Sequence, residues 1–230
     1  MLNDSFKGVL IALGIACLLI ISWIVPVTRL FWDYLDAMAY LWMHHFFLQT
    51  DFQQKFWAVM NSRIADHVSQ AIFVLILVRY VFSDKGQFVK KRAWQVVFVL
   101  VAVVISIVVS KTVQHELSKH LSIKRDSPSI VLGHEVVLSK VLPGLENVKD
   151  ASSRSFPGDH AMTLMLLCGF IFCLTKKVGF RIVAVVMALF FLMPRLISGG
   201  HWLTDLVMGS FPIAIFALTN CLFVDYFLKN

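Results

Sequence analysis

Long apolar runs alternate with short polar segments along this chain, and each run is bounded by charged residues, Gly or Pro. The run at 8–27 contains no charged residue, and about 20 apolar residues are enough for a helix to cross the hydrocarbon core of a membrane. Five further runs resemble it: 67–82, 93–110, 160–175, 182–197 and 202–223. The pattern predicts an all-α membrane protein in which six transmembrane helices form one bundle.

The segment between the first two runs has a different pattern. At 31–47 it reads FWDYLDAMAYLWMHHFF, in which Asp33 and Asp36 interrupt a series of aromatic residues. Such a mixture is typical of an amphipathic helix that lies in the membrane interface. We therefore expect an interfacial segment here, with His44 and His45 as polar groups at the interface.

Basic residues in the short loops predict the orientation of the bundle. Lys and Arg concentrate at 85–92 and at 176–181, and loops rich in these residues normally face the cytoplasm. Six spans then place both termini in the cytoplasm and the connections 28–66 and 111–159 on the opposite side. Within the second of these, 129–153 is either a loop that caps a site or an ordinary solvated loop.

Composition agrees with a membrane protein and limits the function classes. Hydrophobic residues make up 58% of the 230 residues, more than the roughly 45–50% of ordinary soluble domains. The apolar runs extend over 1–230, which favours a single membrane-embedded domain. The net charge of +7 is divided between two sides of the membrane and forms no continuous basic patch, so we expect lipid headgroups and no nucleic acid as partners.

The stretch PRLISGGHWLTD at 194–205 contains the first candidate catalytic group. His201 and Asp205 are four residues apart, and in a helix that begins near His201 they would share a face. The carboxylate could then orient the imidazole and leave its other nitrogen to attack phosphorus. Arg195 could bind two phosphate oxygens, and Gly199 with Gly200 would let backbone amides approach an anion.

The stretch SRSFPGDHAM at 153–162 opens the fourth predicted span. His160 would lie in the first turn of that helix, where an imidazole can donate a proton to a departing oxygen. Free amides at the helix start suit a phosphate, so Ser155 and Gly158 are further candidates for phosphate binding. A third basic stretch, KRDSP at 124–128, adds Lys124 and Arg125 on the same predicted side.

The stretch HELSKH at 115–120 begins with His-Glu, as the zinc-protease motif does. The helical zinc motif requires its second His four residues after the first, so that both point to one side. Lys119 occupies that position and His120 follows one residue later, so we predict no metal site there.

At these residues the sequence resembles the type 2 phosphatidic acid phosphatase superfamily. That pattern is a Lys and Arg-Pro element, then Pro-Ser-Gly-His, then Ser-Arg, five residues, His, three residues and Asp. The third part matches from Arg195 onward, with Pro194 in place of Ser. The second part reads Pro-Gly-Asp-His at 157–160, and the first departs most, because KRDSP has no Arg directly before Pro128.

The resemblance implies a six-helix fold and phosphate transfer through a phosphohistidine, with no metal and no cofactor. It implies that His201 is the nucleophile, Asp205 its orienting residue and His160 the general acid. The phosphate ligands that follow from it are Lys124, Arg125 and Arg195, and it leaves open which of the first two is the principal one.

A narrower resemblance is to the lipid A phosphotransferases of Gram-negative inner membranes, which share the Gly-Asp-His variant and the Pro before Arg195. It implies transfer of a phosphate from undecaprenyl pyrophosphate to the 1-phosphate of lipid A, at a site facing the periplasm. The expected partners are then the lipid substrates and the membrane. Whether a small regulatory membrane protein also binds is left open by the sequence.

Two other functions remain open on the sequence. One is hydrolysis of undecaprenyl pyrophosphate or of phosphatidylglycerophosphate-type lipid phosphates, because water can attack the same phosphohistidine. The other is a non-catalytic protein that binds or transports anionic lipids.

Overall fold

The computed structural model describes residues 2–83, 88–121, 125–145 and 147–227. Within these ranges the chain is helical and contains no strand, which confirms the predicted all-α class. The helices are α1 (Leu2–Ile24), α2 (Pro26–Phe47), α3 (Asp51–Met60), α4 (Arg63–Val81), α5 (Phe88–Leu121), α6 (Pro128–Val131), α7 (Leu138–Val141), α8 (Asp159–Leu174), α9 (Val178–Ile197) and α10 (Phe211–Phe227). A π-helical segment, Asp205–Ser210, directly precedes α10.

Among the described residues, four helices are long and apolar enough to cross a membrane. They contain the segments Lys7–Ile24, Arg63–Val81, Val89–Val109 and Val178–Ile197. The other two predicted spans correspond to shorter apolar helices, Asp159–Leu174 and Asp205–Thr219. The four long helices support a membrane protein, and the count of six spans stays a prediction.

Helix α8 lies at the centre of the fold. It packs against α5, α9 and α10, and apolar side chains on all its sides are buried, among them Met162, Leu166 and Phe170. A helix that is hydrophobic all round belongs in the interior of a protein. This packing fixes the N-terminal end of α8, where His160 lies.

Helix α2, which contains the predicted amphipathic segment, packs against α1 and α9. Asp36, Tyr40 and His44 recur every four residues and are its buried residues, as expected for one face of a helix. Aromatic residues such as Tyr34 and Trp42 are exposed. The helix is therefore two-sided, and its place in the membrane interface stays a prediction.

The expectation for His44 is wrong, because the structure buries this residue inside the protein. Its Nδ1–H donates to the carbonyl of Ile197 at 2.9 Å, and its Nε2 accepts from the backbone N–H of Val136 at 3.2 Å. Both ring nitrogens thus join α2 to distant parts of the chain. His45, the next residue, is exposed.

The connection between α5 and α8 includes the loop that was considered as a cap. It lies against α2 and α3, because α7 packs on α3 and the Tyr40 hydroxyl donates to the carbonyl of Gly133 at 2.7 Å. Asn61 donates through Nδ2 to the carbonyl of Lys149 at 3.1 Å. These bonds attach the loop to the helices, while a capping role over a substrate stays a prediction.

The turn after α9 determines where His201 emerges. Gly199 has a φ of 75°, the left-handed conformation in which Gly commonly ends helices. A Cβ on Gly199 would lie 2.6 Å from the Tyr40 ring, and one on Gly200 would lie 2.8 Å from the carbonyl oxygen of Lys149. The two glycines therefore allow the turn to pack closely against Tyr40 and Lys149. These groups occupy the space that we expected the glycines to leave for an anion.

Candidate active site

The ring of His201 is oriented by a backbone carbonyl. Its Nδ1 lies 2.7 Å from the carbonyl oxygen of Ser155, and because a carbonyl only accepts, Nδ1 must carry the proton. The neutral ring then has an unprotonated Nε2, which is the form a nucleophile requires. Ser155 itself is fully buried, and its N–H and hydroxyl both donate to the carbonyl of Arg125, at 2.9 and 3.1 Å.

Asp205 is fully buried beside His201, and its carboxylate is farther from the ring than a hydrogen bond requires. Its Oδ2 lies 3.7 Å from the Nδ1 of His201, which is beyond hydrogen-bond distance. The same oxygen accepts from the backbone N–H of Trp202 at 2.8 Å. His201 lies before the π-helical segment, which begins only at Asp205, so the two residues do not share a helix face. The carboxylate therefore acts on His201 by its charge, and the carbonyl of Ser155 accepts the ring proton.

Arg125 joins Asp205 to helix α2. Its Nη1 donates to Oδ1 of Asp205 and to the hydroxyl of Thr204, both at 2.7 Å. Its Nη2 donates to Oδ2 of Asp36 at 2.6 Å, and the guanidinium lies 5.2 Å from the centroid of the Trp202 ring. Arg125, predicted as a phosphate ligand, therefore has both terminal nitrogens bound to protein oxygens.

Asp36 completes this cluster from the buried face of α2. Its carboxylate accepts from the backbone N–H of Thr204 at 2.8 Å and also from the hydroxyl of that residue. Burial raises the pKa of the Asp36 carboxyl above its usual value, while the bonds from Thr204 and the charge of Arg125 act in the opposite direction. The sequence pattern predicted Asp36 at the membrane interface and did not indicate a role in the site. The feature that could have indicated one is a carboxylate within an otherwise apolar, aromatic helix.

Gly158 is the residue at which the two histidine segments meet. It precedes α8, and a Cβ placed on it would lie 3.2 Å from the Ser210 hydroxyl and 3.6 Å from Cε1 of His201. The Ser210 hydroxyl donates to the Gly158 carbonyl at 2.7 Å. The missing side chain therefore lets the backbone directly before α8 approach His201 closely.

His160 lies in the first turn of α8 as predicted, with only 12% of its side chain exposed. Its Nδ1 lies 3.5 Å from Oδ1 of Asp66, at the start of α4. The guanidinium of Arg195 on α9 also acts on the ring by its charge. Three helices thus contribute to the environment of this imidazole.

Arg195 is almost fully buried and also bound to protein groups. Its Nη2 donates to both carboxylate oxygens of Asp66 at 2.7 Å. Its Nη1 donates to the carbonyl and the side-chain oxygen of Asn61, at 2.9 and 2.7 Å. Asn61 and Asp66 were not among the predicted site residues, because their partners lie far away in the chain.

The structure thus brings together seven of the eight predicted site residues in two connected clusters. Lys124 lies outside the described residues. In the part of the chain that the structure describes, no group of three His, Cys, Asp or Glu residues is placed to hold a metal ion.

The part of the chain that carries the histidines matches a known family. A family model described as the PAP2 superfamily matches residues 112–227. The chain belongs to the PAP2 superfamily. The matched region includes His160, His201 and Asp205, so the three residues fall within the family domain. Asp36, Asn61 and Asp66 lie outside it.

A relative of this PAP2 protein supports the same assignment over most of the chain. The chain is similar to the lipid A 1-diphosphate synthase of Escherichia coli (strain K12), with 28% identity over 204 residues. These residues cover 87% of this chain and 80% of that protein. No solved structure matches the chain. The protein is thus an enzyme of the lipid phosphatase and phosphotransferase type, as the sequence predicted.

Proposed function

We propose that this enzyme transfers a phosphate from undecaprenyl pyrophosphate to the 1-phosphate of lipid A through a phosphohistidine at His201. The reaction takes place on the periplasmic side of the inner membrane of a Gram-negative bacterium. The observation that carries the chemistry is the 2.7 Å hydrogen bond from His201 to the Ser155 carbonyl. The similarity to a lipid A 1-diphosphate synthase supports the choice of lipids.

In the first half of the reaction, Nε2 of His201 attacks the terminal phosphorus of the donor. A P–N bond forms, the P–O bond to undecaprenyl phosphate breaks, and His160 donates a proton to the departing oxygen. The Ser155 carbonyl and the charge of Asp205 stabilise the positive charge that develops on the His201 ring.

In the second half, an oxygen of the lipid A 1-phosphate attacks the phosphohistidine. A new P–O bond forms, the P–N bond breaks, and His201 returns to its neutral form. Any proton on the attacking oxygen passes to His160, which restores the acid for the next cycle. The phosphate passes to lipid A and not to water if the site binds the lipid A 1-phosphate next to the phosphohistidine and excludes water.

The arginines and the start of α8 hold the phosphate in this proposal. Arg125 and Arg195 are fixed by carboxylates at 2.6–2.7 Å, so their remaining N–H groups are preoriented for an anion. Lys124 adds a positive charge, and Gly158 and Ser155 leave backbone groups close to His201. The Ser155 hydroxyl is already engaged with Arg125, so we expect Ser155 to act mainly through its carbonyl.

The experiment that tests this proposal follows the terminal phosphate of the donor. Purified enzyme in detergent is given undecaprenyl pyrophosphate labelled in that phosphate, with and without lipid A, and His201→Ala serves as the blank. We expect label on lipid A. Label found only in free phosphate, with lipid A present, would replace transfer by hydrolysis, and no movement of label would support a non-catalytic lipid-binding protein.

A further inference from the structure

Asp66 is a partly buried carboxylate at the centre of one of the two site clusters. It lies in the first turn of α4, and only 19% of its side chain is exposed. Its Oδ1 is 3.5 Å from Nδ1 of His160. Asp66 precedes the region that the family model matches, so the PAP2 motifs give it no role.

Several bonds fix the Asp66 carboxylate in this position. Both of its oxygens accept from Nη2 of Arg195 at 2.7 Å, and Nη1 of Arg195 is held by Asn61. The start of a helix also stabilises a negative charge, because the free N–H groups of the first turn carry partial positive charge. The carboxylate therefore has little freedom to turn away from His160.

His160 needs a nearby negative charge if it is to donate a proton. The ring is mostly buried, and burial disfavours its charged form. The charged groups that face it are Asp66 on α4, Arg195 on α9 and Asp159 on its own helix. Arg195 opposes a positive ring, and its pairing with Asp66 limits that effect.

We propose that Asp66 is a positioning residue that holds His160 in the orientation and the protonated form needed for proton donation. This inference rests on the proposed function, because it assumes that His160 is the general acid. The two clusters support it by their similarity: each histidine faces a carboxylate that is at least partly buried, and each carboxylate is bound by an arginine at 2.7 Å. In one cluster Asp66 faces His160 and binds Arg195. In the other, Asp205 faces His201 and binds Arg125.

A double-mutant cycle separates action through His160 from a general structural role. The initial rate of phosphate transfer from labelled undecaprenyl pyrophosphate to lipid A is measured for the wild type, His160→Ala, Asp66→Asn and the double variant. We expect His160→Ala to lose ~10²- to 10⁴-fold, as for a lost general acid. Asp66→Asn should lose about 10- to 100-fold. In the His160→Ala background it should lose a much smaller factor, because only its effect on Arg195 remains there.

Folding is controlled in two ways, because Asp66→Asn also leaves Arg195 without its counter-charge. Rates are divided by the folded fraction, measured from the cooperative thermal transition in detergent. If Asp66→Asn gives no folded protein, Asp66→Glu takes its place in both backgrounds, since it keeps the charge and the pair with Arg195. We then expect a loss of a few-fold in the wild-type background and none in His160→Ala.

Asp51→Asn is the matched control, because Asp51 also lies near the start of a helix but is exposed and paired with Lys55 at 2.7 Å. It should retain the wild-type rate. An Asp66 variant at the wild-type rate, or one that loses the same factor in both backgrounds, overturns the inference and leaves the proposed function standing. His160→Ala at the wild-type rate instead overturns the general-acid role and the inference with it. If label appears only as free phosphate, the same cycle is followed on phosphate release.

Discussion

At the scale of single residues, the proton on His201 is controlled by the backbone. In hydrolytic triads a carboxylate usually accepts the imidazole N–H, and its replacement by an amide leaves the wrong tautomer. Here the Ser155 carbonyl accepts that N–H at 2.7 Å, and Asp205 lies 3.7 Å away. The carboxylate therefore contributes charge, while the tautomer is set by a group that no side-chain substitution removes.

This arrangement predicts unequal losses for two substitutions. His201→Ala removes the nucleophile and should lower kcat by about 10⁴-fold or more. Asp205→Asn keeps the tautomer and should lower kcat by about 10- to 100-fold, because only charge stabilisation and the bond to Arg125 are weakened. Initial rates of label transfer check both, and equal losses would contradict the role of Ser155.

Asp36 gives a second prediction at this scale. Asp36→Asn removes the charge that faces Arg125 in a buried cluster and should lower the free energy of unfolding by about 1–3 kcal/mol. Activity should fall as well, since Arg125 also holds Asp205. Thermal unfolding in detergent measures the first effect and label transfer the second.

Asp33→Asn is the control for Asp36, because Asp33 lies three residues earlier on α2, is 47% exposed and is 3.9 Å from Arg125. Its loss should change stability by under about 0.5 kcal/mol. An equal effect of the two substitutions would count against the buried cluster.

At the scale of elements, the π-helical segment and the start of α8 fit together through glycines. A Cβ on Gly209 would lie 2.8 Å from Cβ of Pro157 and 2.9 Å from the ring of Phe156. The segment 156–158 is therefore in direct contact with the π-helical segment. This contact positions the carbonyl of Ser155 and the N-terminal end of α8 relative to His201.

Adding one methyl group at this contact should disturb the site. Gly209→Ala should lower the free energy of unfolding by about 1–3 kcal/mol through overpacking, and it should lower kcat because it displaces the Ser155 segment. Gly179→Ala is the matched control, because nothing lies within 4 Å of a Cβ there. At this exposed position in the first turn of α9, Ala should be neutral or slightly stabilising. A Gly209→Ala variant with wild-type stability and rate would contradict the close contact.

Local sequence predicted most elements but not the geometry around Asp205. Apolar runs mark α4, α5, α8 and α9 because a buried or lipid-facing helix needs continuous apolar residues. The spacing of His201 and Asp205 suggested a shared helix face, yet Asp205 opens the π-helical segment and His201 stays in the preceding turn. The backbone at that start is bound to a distant group, the Asp36 carboxylate, which accepts from the N–H of Thr204, and no local pattern encodes this bond.

At the scale of the whole molecule, the helical bundle brings distant parts of the chain to one site. The motifs located His160, His201 and Asp205 because they are short and specific. Asp36, Asn61 and Asp66 could not be found in that way, because a carboxylate in an apolar helix does not reveal its partner. Only the packing of α2 and α4 against α9 brings them to the arginines.

Topology provides a prediction at this scale. In a variant without its native cysteines, Lys91→Cys should react with a membrane-impermeant thiol reagent only after the inner membrane is opened, because the basic N-terminal end of α5 is expected in the cytoplasm. His134→Cys, in the exposed part of the loop between α5 and α8, should react in intact spheroplasts. Labelling of both cysteines from the same side would contradict the predicted orientation.

The division of the site between the two parts of the chain has a practical consequence for protein engineering. The family domain at 112–227 supplies both histidines and both arginines, whereas the carboxylates that neutralise those arginines on α2 and α4 come from outside it. A chimera that inherits the family domain from this enzyme and its first helices from another would leave the buried Arg195 without its counter-ion and Arg125 with Asp205 alone. Residues 36, 61 and 66 therefore have to be exchanged together with the motifs they support.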